Sequence, residues 1–436
     1  MKSRALSIAL LAVASLAGCS APTPVGKPSE ATQPSPSAAA PQVGWSQAVD
    51  AFLVVGRPNQ PNDVILASTG ESVMELPAAI PDGRWAHLVT ATPAGSGTRV
   101  QQLAIASGMD EPDNVFKGHW RLPTIGSDPL PVGRSADGNT LALVEETGTG
   151  ATTTSRFAVV DLSRKRLPKI IELSGSFDFD AISPNGTTLY VIEHQDAQAG
   201  GHYQVRAVDA SSGRLAEGAI VDKGNPGEAM AGWAIEQQRL AQGLVMTLYR
   251  GHEHPFVHAL DTINSGAICI DLPPTRHDDA VAAADWGLAS SPDGLSVYAI
   301  NATIGVAVDI DPMSLSIRQT ANIGAGTAAI TLAKFGHQDA GVTGRRVVVS
   351  PDGRTIFAAS ANGIVELATR DLSVTRRLLV GTGVDALGLT PDATGLFVLR
   401  HADGGIDRLD VASGAVIARV PGSGYERLLA LVPMQG

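Results

Sequence analysis

Residues 350–360 read SPDGRTIFAAS. Ser350 is a turn starter, Pro351 presets φ near about −65°, Asp352 tolerates a turn and Gly353 supplies φ > 0, so this order predicts a type I turn closed by glycine. In the following TIFAAS, β-branched or aromatic residues alternate with small ones, as a half-buried strand requires. The stretch is a hairpin corner. A near copy, SSPDGLSVYAIN, stands at 290–301.

Aligned on the turn, the corner recurs as IPDG (80–83), SADG (135–138), SPNG (183–186), SPDG (291–294), SPDG (350–353) and TPDA (390–393). The intervals are about 40–60 residues, a period that marks a repeat architecture. One gap has double length, and AIEQQRLAQGLVMTLY (234–249) bridges it with a strand pattern whose turn residues have decayed. A second phrase follows most corners: AVVDLSRKRLPKIIEL from 158, RAVDASSGRLAEGAIV from 206, VDIDPMSLSIRQTANI from 308 and DRLDVASGAVIARV from 407. Each is a strand, an Asp-initiated turn and another strand.

Four short strands per period predict the blades of an all-β propeller, with no helices. These phrases resemble the YVTN-type and WD-repeat-like bacterial β-propellers, in which SPDG joins the innermost strand to the second and D…SG joins the third to the fourth. The resemblance covers nearly everything from about residue 45 and implies architecture, not activity. AFLVVG (51), DVILAST (63) and SVMELP (72) read as second, third and fourth strands without an innermost partner, and YERLLALV (425–432) as an innermost strand without a successor. Together they predict a composite blade zipped from both ends of the chain, which removes open strand edges. The count favours eight blades, or seven if the degenerate units near 82 or 237 form none.

The beginning of the chain has another character. Lys2 and Arg4 precede an apolar run, Ala5 to Leu16, that is too short to span a bilayer and shaped like a secretory signal. LAGC, Leu16 to Cys19, resembles the lipobox of bacterial lipoproteins, which implies a signal peptide over 1–18 and lipidation of Cys19. Ser20 to Gln42 is Pro, Ser, Ala and Thr with one acid and one lysine, a linker that forms no core. The expected organisation is leader, lipidated cysteine and linker over 19–43, and propeller over 44–436. The expected location is outside the cytoplasm on a bacterial membrane.

Losing Lys2 and Arg4 with the leader takes the formal charge from −11 to −13, which argues against nucleic acid and leaves no basic patch for lipid headgroups. Two cysteines exist, so with Cys19 lipidated Cys269 has no disulfide partner in the chain; its apolar, alternating segment predicts a buried small hydrophobe. A monomer is expected.

Propeller topology puts the loops entering innermost strands, and those joining second to third strands, on one face. Eight of ten histidines map there: His119, His194, His202, His252, His254, His277, His337 and His401. Exposed loops collect polar residues anyway, yet histidine is the commonest metal ligand and a clustered rim is a functional hint. In GHEHPFVH, His252 and His254 would face one way and Glu253 the other; zinc there would need a third ligand such as His194 or Glu193 of the preceding blade, and His202 is a further candidate for ligand binding on the same face.

Asp178, Asp180, Asp285 and Asp385 precede their corners by about three to six residues and are expected around the channel mouth. There they could hold calcium, attract a cationic ligand, or pin neighbouring blades through hydrogen bonds. No nucleophile elbow, phosphate loop or metalloprotease helix occurs. Trp120, Trp233 and Trp286 stand near inner-strand starts and give weak support for a stacking platform. The reading is a binding propeller in the envelope, for an envelope protein or a small ligand. The alternative is a propeller enzyme, lactonase-like or quinone-dependent.

Overall fold

A computed structural model describes residues 51–58, 60–76, 79–81, 87–104, 114–126, 131–146, 154–164, 166–195, 201–220, 230–251, 254–273, 285–324 and 344–433. The chain separates into units of Met1–Gln42 and Val43–Gly436, and every described residue belongs to the second. The described residues form eight four-stranded antiparallel sheets and no helix. Numbered along the chain, blades 1 to 8 have the inner strands Arg427–Pro433, Ala79–Pro81, Trp120–Arg121, Phe177–Ile182, Trp233–Arg239, Gly287–Ser290, Val347–Val349 and Val384–Leu389.

The corner chemistry explains the repeat. At Ser350 the backbone N–H of Gly353 donates to the Ser350 carbonyl at 2.8 Å, with Gly353 at φ 70°. The Ser350 hydroxyl donates to Asp352 at 2.5 Å and accepts from the Thr355 N–H at 2.9 Å. Ser135, Ser183, Ser291 and Thr390 make the same pattern with Asp137, Asn185, Asp293 and Asp392. The Asp-initiated turns are Asx turns: Asp209 accepts from the N–H and hydroxyl of both Ser211 and Ser212, and Asp410 from those of Ser413. Four hydrogen bonds to the Asp209 carboxylate hold its pKa well below the usual range.

Strand alternation then supplies the core. Eight apolar clusters occur among the described residues, and each lies between two successive blades, the last joining blade 8 to blade 1. Eight wedges in cyclic order make a closed ring. Closure is as the sequence predicts: Ala51–Gly56 pairs antiparallel with Arg427–Pro433, in the order fourth, third, second, inner. The degenerate unit around 237 folds fully, with its corner closed by the Leu240 and Gly243 N–H groups. The unit around 82 pairs as well, so the count is eight and not seven.

Three expectations need correction. Cys269 is half-buried, packed against the cluster between blades 4 and 5. Trp120 and Trp286 are 4% and 1% exposed, because Trp120, first in its inner strand, and Trp286, just before its own, turn into the wedges between blades. Only Trp233 of the three is exposed.

Candidate functional site

The loop-bearing face carries one theme in several blades: a residue at the start of the inner strand meets a residue on the second or third strand of the same blade. In blade 4, His194 Nε2 lies 2.7 Å from Asp178 Oδ2. In blade 8, His401 Nδ1 lies 2.9 Å from Asp385 Oδ1. Four places apart in a ring of eight, these two pairs stand opposite each other.

Other blades substitute an arginine on an aromatic ring. Arg250 lies over Trp233 at 4.6 Å in blade 5, Arg57 over Tyr425 at 4.5 Å in blade 1, and Arg156 over Trp120 at 5.7 Å in blade 3. Arg57 also meets Asp63 at 3.3 Å, and Arg156 meets Glu172 at 2.7 Å. In blade 6, Asp285 accepts from the Thr303 hydroxyl at 2.8 Å and pairs at 3.1 Å with Arg346, which enters blade 7. The mouth thus carries fixed polar side chains and the Trp233 ring, each held by a neighbour, while Trp120 and Tyr425 lie buried in the wedges beneath the arginines packed on them.

Two segments reach inward at the same level. The inner strand of blade 3 is interrupted after Arg121, and in the interruption Gly126, at φ 53°, approaches blade 5 so closely that a Cβ would lie 1.9 Å from the Ala234 carbonyl oxygen. From blade 7, Gly344 bridges to Leu428 of blade 1, and Arg345 pairs with the buried Glu236 of blade 5. Glu236 also accepts from the Leu288 N–H at 3.0 Å. Chain segments from alternate blades therefore meet across the mouth.

The expected site residues divide. Asp178, His194, Asp285 and Asp385 reach the rim, and they do so in pairs that residue type alone did not foretell. His202 is exposed on the same face at the start of blade 4's third strand, and His254 lies 3.7 Å from Asp271 in blade 5. Asp180 is a correction: it is 1% exposed, inside the wedge between blades 4 and 5 and not at the mouth. Burial there pushes its carboxyl up to about 7. His252 and Glu253 lie outside the described residues, so the expected His252–His254 pair is not described. Among the described residues no three metal-ligating side chains come together. The arginine–aromatic pairs were not anticipated; an aromatic opening an inner strand, matched by an arginine closing the second strand, is the signal that marks Trp233 with Arg250.

No protein-family model and no curated protein matches this sequence. Solved structures do match. Over 92% of this chain and 79% of the other, it is similar to the dihydro-heme d1 dehydrogenase NirN in complex with DHE, with a TM-score of 0.54 and 13% identity. Over 89% and 99%, it is similar to apo AztD from Citrobacter koseri, with a TM-score of 0.51 and 12% identity. The likeness is one of fold.

Proposed function

We propose that this protein is an exported, lipid-anchored propeller of the bacterial envelope whose loop-bearing rim binds a small ligand or an envelope protein. The observation that carries the reading is the opposed pair of His–Asp contacts, Asp178 with His194 and Asp385 with His401, in a rim that also carries the Arg250–Trp233 pair. The other face is made of short corners whose polar groups are consumed by their own turns. Binding residues on loops held by a rigid scaffold are the usual division of labour. The anchor reading rests on the LAGC tetrad, and Cys19→Ser is expected to release the protein from membranes, since the acidic chain offers no electrostatic substitute. Unchanged fractionation would remove that part of the proposal.

A second reading is an enzyme. A histidine held by a carboxylate is how many general bases are oriented, and NirN is named as a dehydrogenase. The test is untargeted metabolite capture, with metal analysis, on the propeller domain and on its His194→Ala/His401→Ala variant. Retention falling about tenfold or more in the variant supports the rim; turnover of the captured compound supports the enzyme. Equal retention by both proteins overturns the rim assignment.

A further inference from the structure

The corner face carries apolar side chains that its turns do not require. Between the third and fourth strands of a blade, the second residue after the aspartate donates its backbone N–H to that carboxylate: Ser163 to Asp161 at 3.0 Å, Ser211 to Asp209 at 3.1 Å and Ser373 to Asp371 at 3.1 Å. Blades 5 and 6 make the same bond from Ile263 at 2.9 Å and from Met313 at 2.8 Å. At the inner corner, Arg354 donates to Asp352 and Thr394 to Asp392, both at 3.1 Å, and blade 6 makes this bond from Leu295 to Asp293 at 3.0 Å. The turn needs only the backbone group, so the side chain is free to vary. Ile263, Leu295 and Met313 are 63%, 53% and 75% exposed.

These three are neighbours. A Cβ on Gly243 would lie 2.9 Å from Ile263, and one on Gly294 would lie 3.7 Å from Gln242. The Leu295 carbonyl accepts from Arg318 at 3.1 Å, and Arg318 also pairs at 3.3 Å with Asp311, which opens the Met313 turn. Single exposed apolar residues need no explanation, but their distribution here is one-sided. Among the described residues eleven large apolar side chains are exposed, and only Trp233 and Val380 lie on the loop-bearing face. The other nine are carried by corner-face turns or by the first two residues of outer strands, which begin at that end.

The tether reaches the propeller on this same face. Ala51 opposes Pro433, the end of an inner strand, so the chain enters blade 1 at the corner end, across the ring from blade 5. Residues 20–50 span up to about 100 Å when extended, at about 3.3 Å each, so the tether alone does not choose which face meets lipid. Charge selects the kind of surface. The Ser291 hydroxyl holds Asp293, and the Met313 N–H holds Asp311, below the usual carboxylate range, so anions stand beside the tips and favour neutral headgroups over anionic ones.

We propose that Ile263, Leu295 and Met313 enter the surface of the bilayer that holds the chain's lipid, so that the propeller lies corner face down and presents its rim away from the membrane. This docking rests on the lipid-anchor reading. Anchor and tips sit on opposite sides of one face, so together they fix its tilt. Three apolar tips orient a tethered protein without holding an untethered one.

The test uses the lipidated full chain in phosphatidylcholine vesicles that contain a phosphatidylcholine with a photoreactive acyl chain, with cross-links mapped by mass spectrometry. Labelling should fall on the turns of Ile263, Leu295 and Met313, spare the segments of Trp233 and Val380, and withstand added salt. The triple variant Ile263→Ser/Leu295→Thr/Met313→Ser gives each turn a residue that another blade already uses there. It should melt like the parent and still sediment with vesicles, while labelling of blades 5 and 6 falls about tenfold. Should the variant fail to fold, the labelling pattern of the parent decides. A parent that sediments but is labelled on the rim, evenly or not at all, or a folded variant labelled like the parent, would overturn the docking and leave the anchor standing. Tips cross-linked to a second copy and free of lipid would give the face to a dimer and overturn it too. A parent that does not sediment with vesicles would remove anchor and docking together.

Discussion

Blades 4 and 8 stand opposite each other and look alike at the rim, yet they place their acids by different means. In blade 8 the bulge falls between Val384 and Ala386, so Asp385 itself is the extra residue, half-buried and aimed at His401. In blade 4 the bulge comes two residues nearer the corner. Asp178 stays in register, exposed, and meets His194, while Asp180 takes the inward position. The letters FDFDA and VDALG give each strand an acid five residues before its corner; the bulge decides which acid solvent reaches. One residue of extra backbone thus separates a rim contact from a buried acid.

The largest effect comes from breaking the ring where blade 8 leans on blade 1. Their shared cluster joins Phe397, Leu399 and Ile406 to Leu53, Val55, Tyr425 and Leu428. Deleting residues 425–436 removes an inner strand, exposes the edge of Ala51–Gly56 and strips large apolar side chains worth about 2–5 kcal/mol each. Size-exclusion chromatography and thermal melting should report aggregation or loss of the cooperative transition. A truncated monomer that melts like the parent would mean that blade 8 is supported some other way. A deletion of the two-residue outer strand Met230–Ala231 in blade 4 should be far milder.

Next comes the acid pair itself. At about pH 8, Asp180→Asn removes a buried charge that burial disfavours; the shift from 3.8 to about 7 sets an upper bound of about 4 kcal/mol on the gain. The sign is opposite to that of ordinary salt-bridged carboxylates: the parent loses stability as pH rises from about 4 to about 7, and the variant should be flat there. Asp385→Asn, at a partly exposed contact, should change stability by about 1 kcal/mol or less. Denaturant midpoints of both variants at about pH 5 and pH 8 measure this. Equal responses would erase the distinction between the two strands.

Much of this fold was legible because its corners are local. Ser, Pro, Asp and Gly in fixed order satisfy one another within a few residues, as Ser350 and Asp352 do, so the turn writes its own pattern into the chain. Blade closure was legible for a similar reason: three strands without an inner partner and one inner strand without a successor complete each other. The bulges were not. Asp178 and Asp180 differ in register by two places on a strand rich in apolar residues, and what holds the bulge at Asp180 is a bond from Gln237 of blade 5. The Arg–aromatic contacts are likewise pairings between strands, and no short window contains both partners.

Corners offer a smaller contrast between the same two blades. Blade 4 closes its corner with Gly186 at φ 71°, where a Cβ would fall 2.1 Å from Thr140 Oγ1 of blade 3. Blade 8 uses Ala393 at φ 56° in the same place. Gly186→Ala should therefore cost about 1–3 kcal/mol, strain and clash together, whereas Ala393→Gly should gain up to about 1 kcal/mol by relieving an L residue in the left-handed region. Melting temperatures of both variants decide; stabilisation by Gly186→Ala would show that the corner can shift away from blade 3.

The smallest expected change in stability is at the rim histidines. His194 and Asp178 have side chains 29% and 74% exposed, and His401 is 34% exposed, so solvent screens both contacts and holds the rings cheaply in other positions. Neither histidine fills a wedge between blades: the clusters on either side are completed by Tyr190, Val205 and Ile192 in blade 4, and by Leu399 and Ile406 in blade 8. His194→Ala and His401→Ala should each lie within about 0.5 kcal/mol of the parent, singly and, at this separation, additively. That near silence in melting is what makes the pair a clean probe of binding. If either substitution lowers stability by as much as Gly186→Ala, the contact pins its own blade, and the opposed pairs are struts of the ring instead of two sides of a binding site.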